Sequence, residues 1–267
     1  MIGVAGCGRM GAPMLAALRA TGLNASGFDV RSPFEFGDLT SFMTDDIAAF
    51  SQNLETLITV VRDISQTDDV LFGAQRFVSA PNLQRIIICS TLSPRYVRDL
   101  RGRVPKHITL IDAPMSGAQI AAQNARLSFM LGGSTADLDA AQPLFAAMGK
   151  HFHRMGPFGS GMQAKVLNNL LAASNTAMTR LVLDWGDAAG LDEAALLELI
   201  HTSSGQNWFA SGFGQIEFAR NGHTANNTIA ILVKDIESAL DAAPDWVDTS
   251  LPRLVQSTIS ELKPRVE

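Results

Sequence analysis

Apolar and polar residues fall into two regimes along the chain. Up to about residue 156, short apolar runs at 1–5, 25–28, 57–61, 86–89, 108–111 and 128–131 alternate with longer, more polar, helix-compatible stretches. Strand-length runs alternating with helical segments predict an α/β architecture, a Rossmann-type doubly wound, mostly parallel sheet. Within the first such stretch, Met10, Met14, Leu15 and Leu18 form one face of a helix over 9–20, which Gly22 ends. The segment 32–53 has no clean period, because Pro33, Gly37 and scattered phenylalanines interrupt it, so a shortened helix is expected there. Beyond 156 the strand-like runs stop. Segments 160–189, 192–201, 228–243 and 251–262 all fit helices, which divides the chain into a dinucleotide-binding domain at 1–156 and an all-helical C-terminal domain at 157–267. The stretch 166–183 is apolar on more than one face, as expected of a helix buried between domains or subunits, and implies a homo-oligomer built through the helical domain.

Composition narrows the partners. With 46% hydrophobic and 18% charged residues the chain can build substantial cores. Twenty-one basic against 26 acidic side chains give a net charge of −5, and no Lys/Arg block stands out, so neither nucleic acid nor an anionic membrane is the expected partner. No apolar run approaches the ~20 residues of a membrane span. The chain opens directly into apolar Met1-Ile2-Gly3-Val4-Ala5, which leaves no room for a charged leader. Cys7 and Cys89 stand apart without a C-x-x-C partner and read as reduced thiols, and a cytoplasmic location follows.

Gly6-Cys7-Gly8-Arg9-Met10-Gly11 has the G-x-G-x-x-G spacing after one expected strand and at the start of a helix, and Asp29 ends the next strand. In that context the glycines permit a tight turn, let backbone amides approach a pyrophosphate and bring helix and strand close. The helix N-terminus favours the phosphates. Asp29 suits the hydroxyls of an adenosine ribose and repels a 2′-phosphate, which favours NAD over NADP, while Arg31 and Ser32 could take up a phosphate if Asp29 turned away.

A second cluster lies at Ser160-Gly161-Met162-Gln163-Ala164-Lys165, followed by Asn168 and Asn169. Ser160 and Gln163 have the spacing of a capping box, and an amine with amides three and four residues on can converge on one substrate. A free lysine titrates near pH ~10.4, so proton transfer at neutrality requires lowering by desolvation or positive potential. In the second turn of a helix Lys165 is placed to feel the positive end of the dipole. After another strand-like run, Asp112-Ala113-Pro114-Met115-Ser116-Gly117 puts Ser116 and Gly117 in a loop able to offer a hydroxyl and N–H groups to a carboxylate. The five histidines show no metal-ligand spacing, so no metal is expected, and Ser160 lacks the flanking pattern of a hydrolase nucleophile.

Taken together with Ser90-Thr91-Leu92-Ser93-Pro94, with Leu127 and Gly132-Gly133, and with Lys234-Asp235, these motifs closely resemble the β-hydroxyacid dehydrogenases, in the family's order and over nearly the whole chain. That family includes 3-hydroxyisobutyrate dehydrogenases, tartronate semialdehyde reductases and, more distantly, 6-phosphogluconate dehydrogenases. The resemblance implies an NAD(P)-dependent oxidoreductase acting on a small anionic β-hydroxy acid or its semialdehyde or keto acid, with its site in the cleft between the two domains. It further implies that Lys165 is the general acid/base, that Asn169 orients the same oxygen, and that Ser116 and Gly117 hold the substrate's acid end. Lys234 matches a lysine near cofactor and substrate, and Ser90 and Thr91 match a loop near the nicotinamide ribose. Asn168 stands where the sugar-phosphate enzymes have histidine, which favours a hydroxy acid without sugar phosphate. The chain departs from the family at Ala118 and Ala125, where relatives usually carry glycine; an added methyl matters most if those positions need positive φ. The alternatives are a non-catalytic dinucleotide-binding protein and an imine reductase-like enzyme.

Overall fold

The computed structural model describes residues 1–225 and 227–265. The chain divides into two compact units, Met1–Lys165 and Val166–Glu267.

The first unit is α/β. Its elements run β1 (Ile2–Ala5), α1 (Gly11–Ala20), β2 (Ala25–Phe28), β3 (Met43–Thr44), α2 (Ile47–Gln52), β4 (Thr56–Thr59), α3 (Ile64–Leu71), β5 (Arg85–Ile88), α4 (Pro94–Arg103), β6 (Thr109–Asp112), β7 (Met115–Ser116), α5 (Ala118–Gln123), β8 (Leu127–Gly132), α6 (Thr135–Met148) and β9 (Gly149–Gly156). The strands form one sheet in the order β3-β2-β1-β4-β5-β6-β8-β7, with β9 beside β8. From β3 to β6 every pairing is parallel; β8 then runs antiparallel to β6 and β7 and parallel to β9.

Successive side chains of a strand point to opposite faces, and here each face has its own core. Val4, Ile58, Ile87 and Ile111 pack with Met14, Leu15 and Leu18 of α1 and Leu138, Leu144 and Phe145 of α6. Their neighbours Ala5, Leu57, Ile86, Ile88 and Leu110 pack on the other face with Phe50, Leu71, Phe77, Val97 and Leu100. Side-chain caps start most of the helices: Asp46 at α2, Asp63 at α3, Ser93 at α4 and Ser134 at α6 each accept backbone N–H groups. In the region without periodicity, Pro33–Phe42 forms 3₁₀ turns broken at Phe36 and Gly37, so the shortened helix expected there is confined to α2.

The second unit is helical. The 29-residue helix α7 (Ser160–Ala188) begins in the first unit and continues through the second, followed by α8 (Glu193–Thr202), α9 (Trp208–Ser211), α10 (Thr228–Asp241) and α11 (Ser250–Ser260). Ala173 and Ala177 of α7 pack with Ile229, Leu232 and Ile236 of α10 and Val255 and Ile259 of α11. Towards its C-terminal end Leu183 packs with Phe209, Phe213 and Ala219. Here the buried Arg265 guanidinium binds Asp184 and Asp187, at the end of α7, and Glu193 of α8. Carboxylates at a helix C-terminus oppose its dipole, and the guanidinium offsets this.

Candidate active site

The glycine turn between β1 and α1 is built as its spacing predicts. Gly6 has φ +90°, and a Cβ at Gly11 would lie 2.0 Å from the Gly6 carbonyl oxygen, so strand and helix approach to a distance only glycine allows. Gly8 and Arg9 are exposed, and no atom lies within 4 Å of where a Gly8 Cβ would stand. Unlike α2, α3, α4 and α6, α1 has no side chain capping its N-terminus and no acid in its first turn. Open space over Gly8 and a helix end with no anionic cap of its own are what a pyrophosphate requires, so the residues fit a dinucleotide.

Asp29 lies just past β2. Its carboxylate accepts the Cys7 amide N–H at 2.9 Å, and the Arg31 guanidinium grips both carboxylate oxygens, Nε at 3.0 Å from Oδ1 and Nη2 at 3.2 Å from Oδ2. Burial raises the Asp29 pKa, but these partners outweigh it and hold the group below its ordinary value, ionised at neutral pH. Arg31 also stacks over the Phe36 ring at 4.6 Å. The Cys7 thiol, raised by burial and by Asp29 to about 12, stays protonated.

Ser90 is buried, and its Oγ accepts the Val61 amide at 3.0 Å, tying together the chain just past β4 and β5. Thr91 follows it, half-buried. Ser116 closes the two-residue strand β7, and Gly117 with φ +131° leads into α5, so the pair sits at a strand-to-helix junction rather than in the open loop expected from sequence. Ala118 and Ala125 both adopt left-handed conformations, with φ of +51° and +49°.

Lys165 is 7% exposed, in the second turn of α7. The capping box expected beneath it is not formed. Gln163 Oε1 instead accepts from Arg98 Nη2 at 2.8 Å, and the start of α7 is held by Asp112 at the end of β6. The Asp112 carboxylate accepts the Gly159 N–H at 2.7 Å and the Met162 N–H at 2.5 Å. Burial pushes this carboxyl above its ordinary value against the opposing pull of those two amides. A Cβ at Gly132 would lie 2.1 Å from Asp112 Oδ1, so the contact exists only because β8 ends in glycine. The sequence motif contains Asp112 but assigns it no role; the available signal was an acid ending an apolar strand, where a cap or a ligand justifies its burial.

One turn beyond Lys165 along α7, Asn169 donates from Nδ2 to Asp235 Oδ2 at 2.5 Å. A carboxylate only accepts, so it fixes which end of the amide faces it. Asp235 is 2% exposed, and its Oδ1 lies 3.1 Å from Lys234 Nζ, so the Lys-Asp pair that could have faced solvent is half anchored in the helical unit. The missed signal was periodicity: Ile229, Leu232, Ile236 and Ala239 define the buried face of α10, and Asp235 falls on it. Of the two aromatic residues at the start of α9, Phe209 is core, whereas Trp208 stays half-exposed.

Two family models account for almost the entire chain. Residues 1–156 match the NAD binding domain of 6-phosphogluconate dehydrogenase, and residues 159–263 match NAD-binding of NADP-dependent 3-hydroxyisobutyrate dehydrogenase. The mitochondrial 3-hydroxyisobutyrate dehydrogenase of Rattus norvegicus is 28% identical over 98% of this chain and 80% of its own length. The NAD-dependent L-serine dehydrogenase of Pseudomonas aeruginosa is 31% identical over 76% of this chain and 70% of its own. The fold is shared with a 3-hydroxyisobutyrate dehydrogenase of Mycobacterium tuberculosis solved with L-serine, at TM-score 0.81 and 22% identity, covering 98% of this chain and 95% of that one. The chain therefore belongs to the β-hydroxyacid dehydrogenases, a family of NAD(P)-dependent oxidoreductases.

Proposed function

We propose that this protein interconverts a small β-hydroxy acid and its semialdehyde or keto acid, prefers NAD, and uses Lys165 as its proton shuttle. The observation that carries the assignment is the burial of Lys165 on a helix whose first turn is pinned by Asp112. A lysine out of bulk water can exist as the neutral amine that a base requires. The nicotinamide cofactor, when bound, supplies hydride transfer. In the oxidative direction the Lys165 amine takes the substrate hydroxyl proton; in the reductive direction the ammonium returns it to the forming alkoxide. Asn169, its amide oriented by Asp235, directs its second N–H at the same oxygen. Ser116 and Gly117 hold the carboxylate, Ser90 and Thr91 border the nicotinamide ribose, and Lys234 adds positive charge near cofactor and substrate.

Gly6, Gly8, Arg9, Met10 and Gly11 cradle the pyrophosphate. The NAD preference rests on Asp29, which is ionised and fixed in place beside the glycine turn. The relatives named for 3-hydroxyisobutyrate and L-serine favour a short hydroxy acid as substrate. Two buried free thiols suit a reducing cytoplasm, and the apolar helical unit suits a homo-oligomer.

The test is spectrophotometric. Reduction of NAD is expected with a panel of short hydroxy acids, more slowly with NADP. Lys165→Ala is expected to lower kcat by about 10²–10⁴-fold while NADH still binds. Turnover that survives the substitution removes the shuttle. Tight cofactor binding with no turnover on any acid would make the protein a non-catalytic dinucleotide binder.

A further inference from the structure

The geometry points to Arg31 as an internal competitor for the adenosine ribose: its guanidinium holds the edge of the Asp29 carboxylate that the two ribose hydroxyls need, and this competition narrows the margin by which NAD is preferred over NADP. The competition rests on the assignment of Asp29 to the ribose and is independent of the chemistry given to Lys165.

An ionised carboxylate offers about four lone-pair positions on its two oxygens. At Asp29 N–H groups fill all of them. Oδ1 accepts the Arg31 amide at 3.2 Å and Arg31 Nε at 3.0 Å; Oδ2 accepts the Cys7 amide at 2.9 Å and Arg31 Nη2 at 3.2 Å. A ribose diol and the edge of a guanidinium make the same offer to a carboxylate, a pair of donors side by side. With the two backbone amides in place, only the positions held by Nε and Nη2 can be given up, so the hydroxyls reach Asp29 only as Arg31 leaves it.

The two side chains are unequally held, which decides which one yields. Asp29 is 10% exposed and is tied by the Cys7 amide to the glycine turn, so it stays. Arg31 is 47% exposed, and apart from Asp29 its guanidinium is held by the Cys7 carbonyl, 3.2 Å from Nη2, and by the Phe36 ring, 4.6 Å away. An ion pair open to water on one side is weak enough for a ligand to open. The displaced guanidinium stays on the rim of the ribose site, because its backbone is two residues from Asp29 and fixed to it. A 2′-phosphate there gives it a forked anionic partner in exchange for the carboxylate; a 2′-hydroxyl gives it none. Arg31 therefore works against NAD twice, since it must be displaced and is compensated only by NADP. A pair closed about nine-tenths of the time weakens apparent NADH binding about tenfold.

Dissociation constants of the full chain for NADH and NADPH, by fluorescence titration, test this without any turnover. Arg31→Gln is expected to tighten NADH by about 3–10-fold and to weaken NADPH by about 10-fold, so that discrimination between the two widens by at least about 30-fold. The Tm of the same variant is expected to fall, because the ion pair and the Phe36 stack are lost; tighter binding by a less stable protein is an outcome that a merely structural arginine does not give. Arg31→Ala repeats the comparison with no side-chain donor at all. Asp29→Asn is expected to give the mirror image, weaker NADH and tighter NADPH, as the guanidinium is released. NADH binding that is unchanged or weakened in both Arg31 variants overturns the proposal and makes Arg31 a support of the adenosine. The NAD preference proposed above is read from the parent chain alone, and the competition from the change on substitution, so either can fail without the other.

Discussion

Ala118 and Ala125 bracket α5, immediately after the Ser116-Gly117 pair, and both lie in the left-handed region. An L-residue there clashes with its own backbone, which costs about 1–2 kcal/mol, partly offset by the smaller chain entropy that alanine loses on folding compared with glycine. Ala118→Gly and Ala125→Gly are therefore each expected to stabilise the fold by about 0.5–1 kcal/mol, read as a rise in Tm, with the double variant close to additive. The site of these changes makes the kinetic outcome informative as well: given the substrate-holding role proposed for Ser116 and Gly117, relaxing the backbone beside them should alter KM for the acid more than KM for the cofactor. Sequence alone marked both alanines as departures from the family, and marked positive φ as the condition under which they would matter. The angle itself was hidden, because nothing in Gly117-Ala118-Gln119 or Asn124-Ala125-Arg126 distinguishes a strained alanine from an ordinary one.

Among the elements, the inner strands β4 and β5 were legible because their runs of β-branched or other apolar residues are buried on both faces, at Thr56–Thr59 and at 86–88. The strand β9 was not, since Lys150, His151, His153 and Arg154 are all exposed on a sheet edge and carry no apolar alternation. The helix α5 was missed for its six residues, and α9 for its four. At α7 the Ser160/Gln163 spacing marked the N-terminus for the wrong reason, because a residue 47 positions before Gly159 caps it. Long-range caps leave no local signature. Asp112→Ala should remove two charge-assisted hydrogen bonds and lower stability by about 2–4 kcal/mol, measured by denaturant unfolding. Because the turn that precedes Lys165 then loses its anchor, kcat should fall beyond what Asp112→Asn causes, since the amide oxygen still accepts one N–H.

At the scale of the whole molecule, the C-terminal segment closes the helical unit through charge. Burial raises the Glu193 pKa, but hydrogen bonds from Arg265 and Arg220 and their charges outweigh it, and the net shift is downward. A carboxylate lowered on folding stabilises the protein above its unfolded pKa of about 4.3 and ceases to do so as pH falls through the folded value. Glu193→Gln is thus expected to lower Tm by a few degrees at pH 7, with parent and variant converging as the pH drops below about 4; a gap that persists in acid would mean the side chain acts by packing alone.

The capping of α7 by Asp112 also bears on where such a protein can be cut. A fragment ending at 156, where the first family model stops, would lack Gly159 and Met162 and leave a buried carboxylate with neither amide to accept from. A nucleotide-binding piece that keeps this anchor must therefore extend at least to Met162, in the first turn of α7. The first compact unit runs to Lys165, so the candidate proton shuttle ends the same unit that opens with the glycine turn.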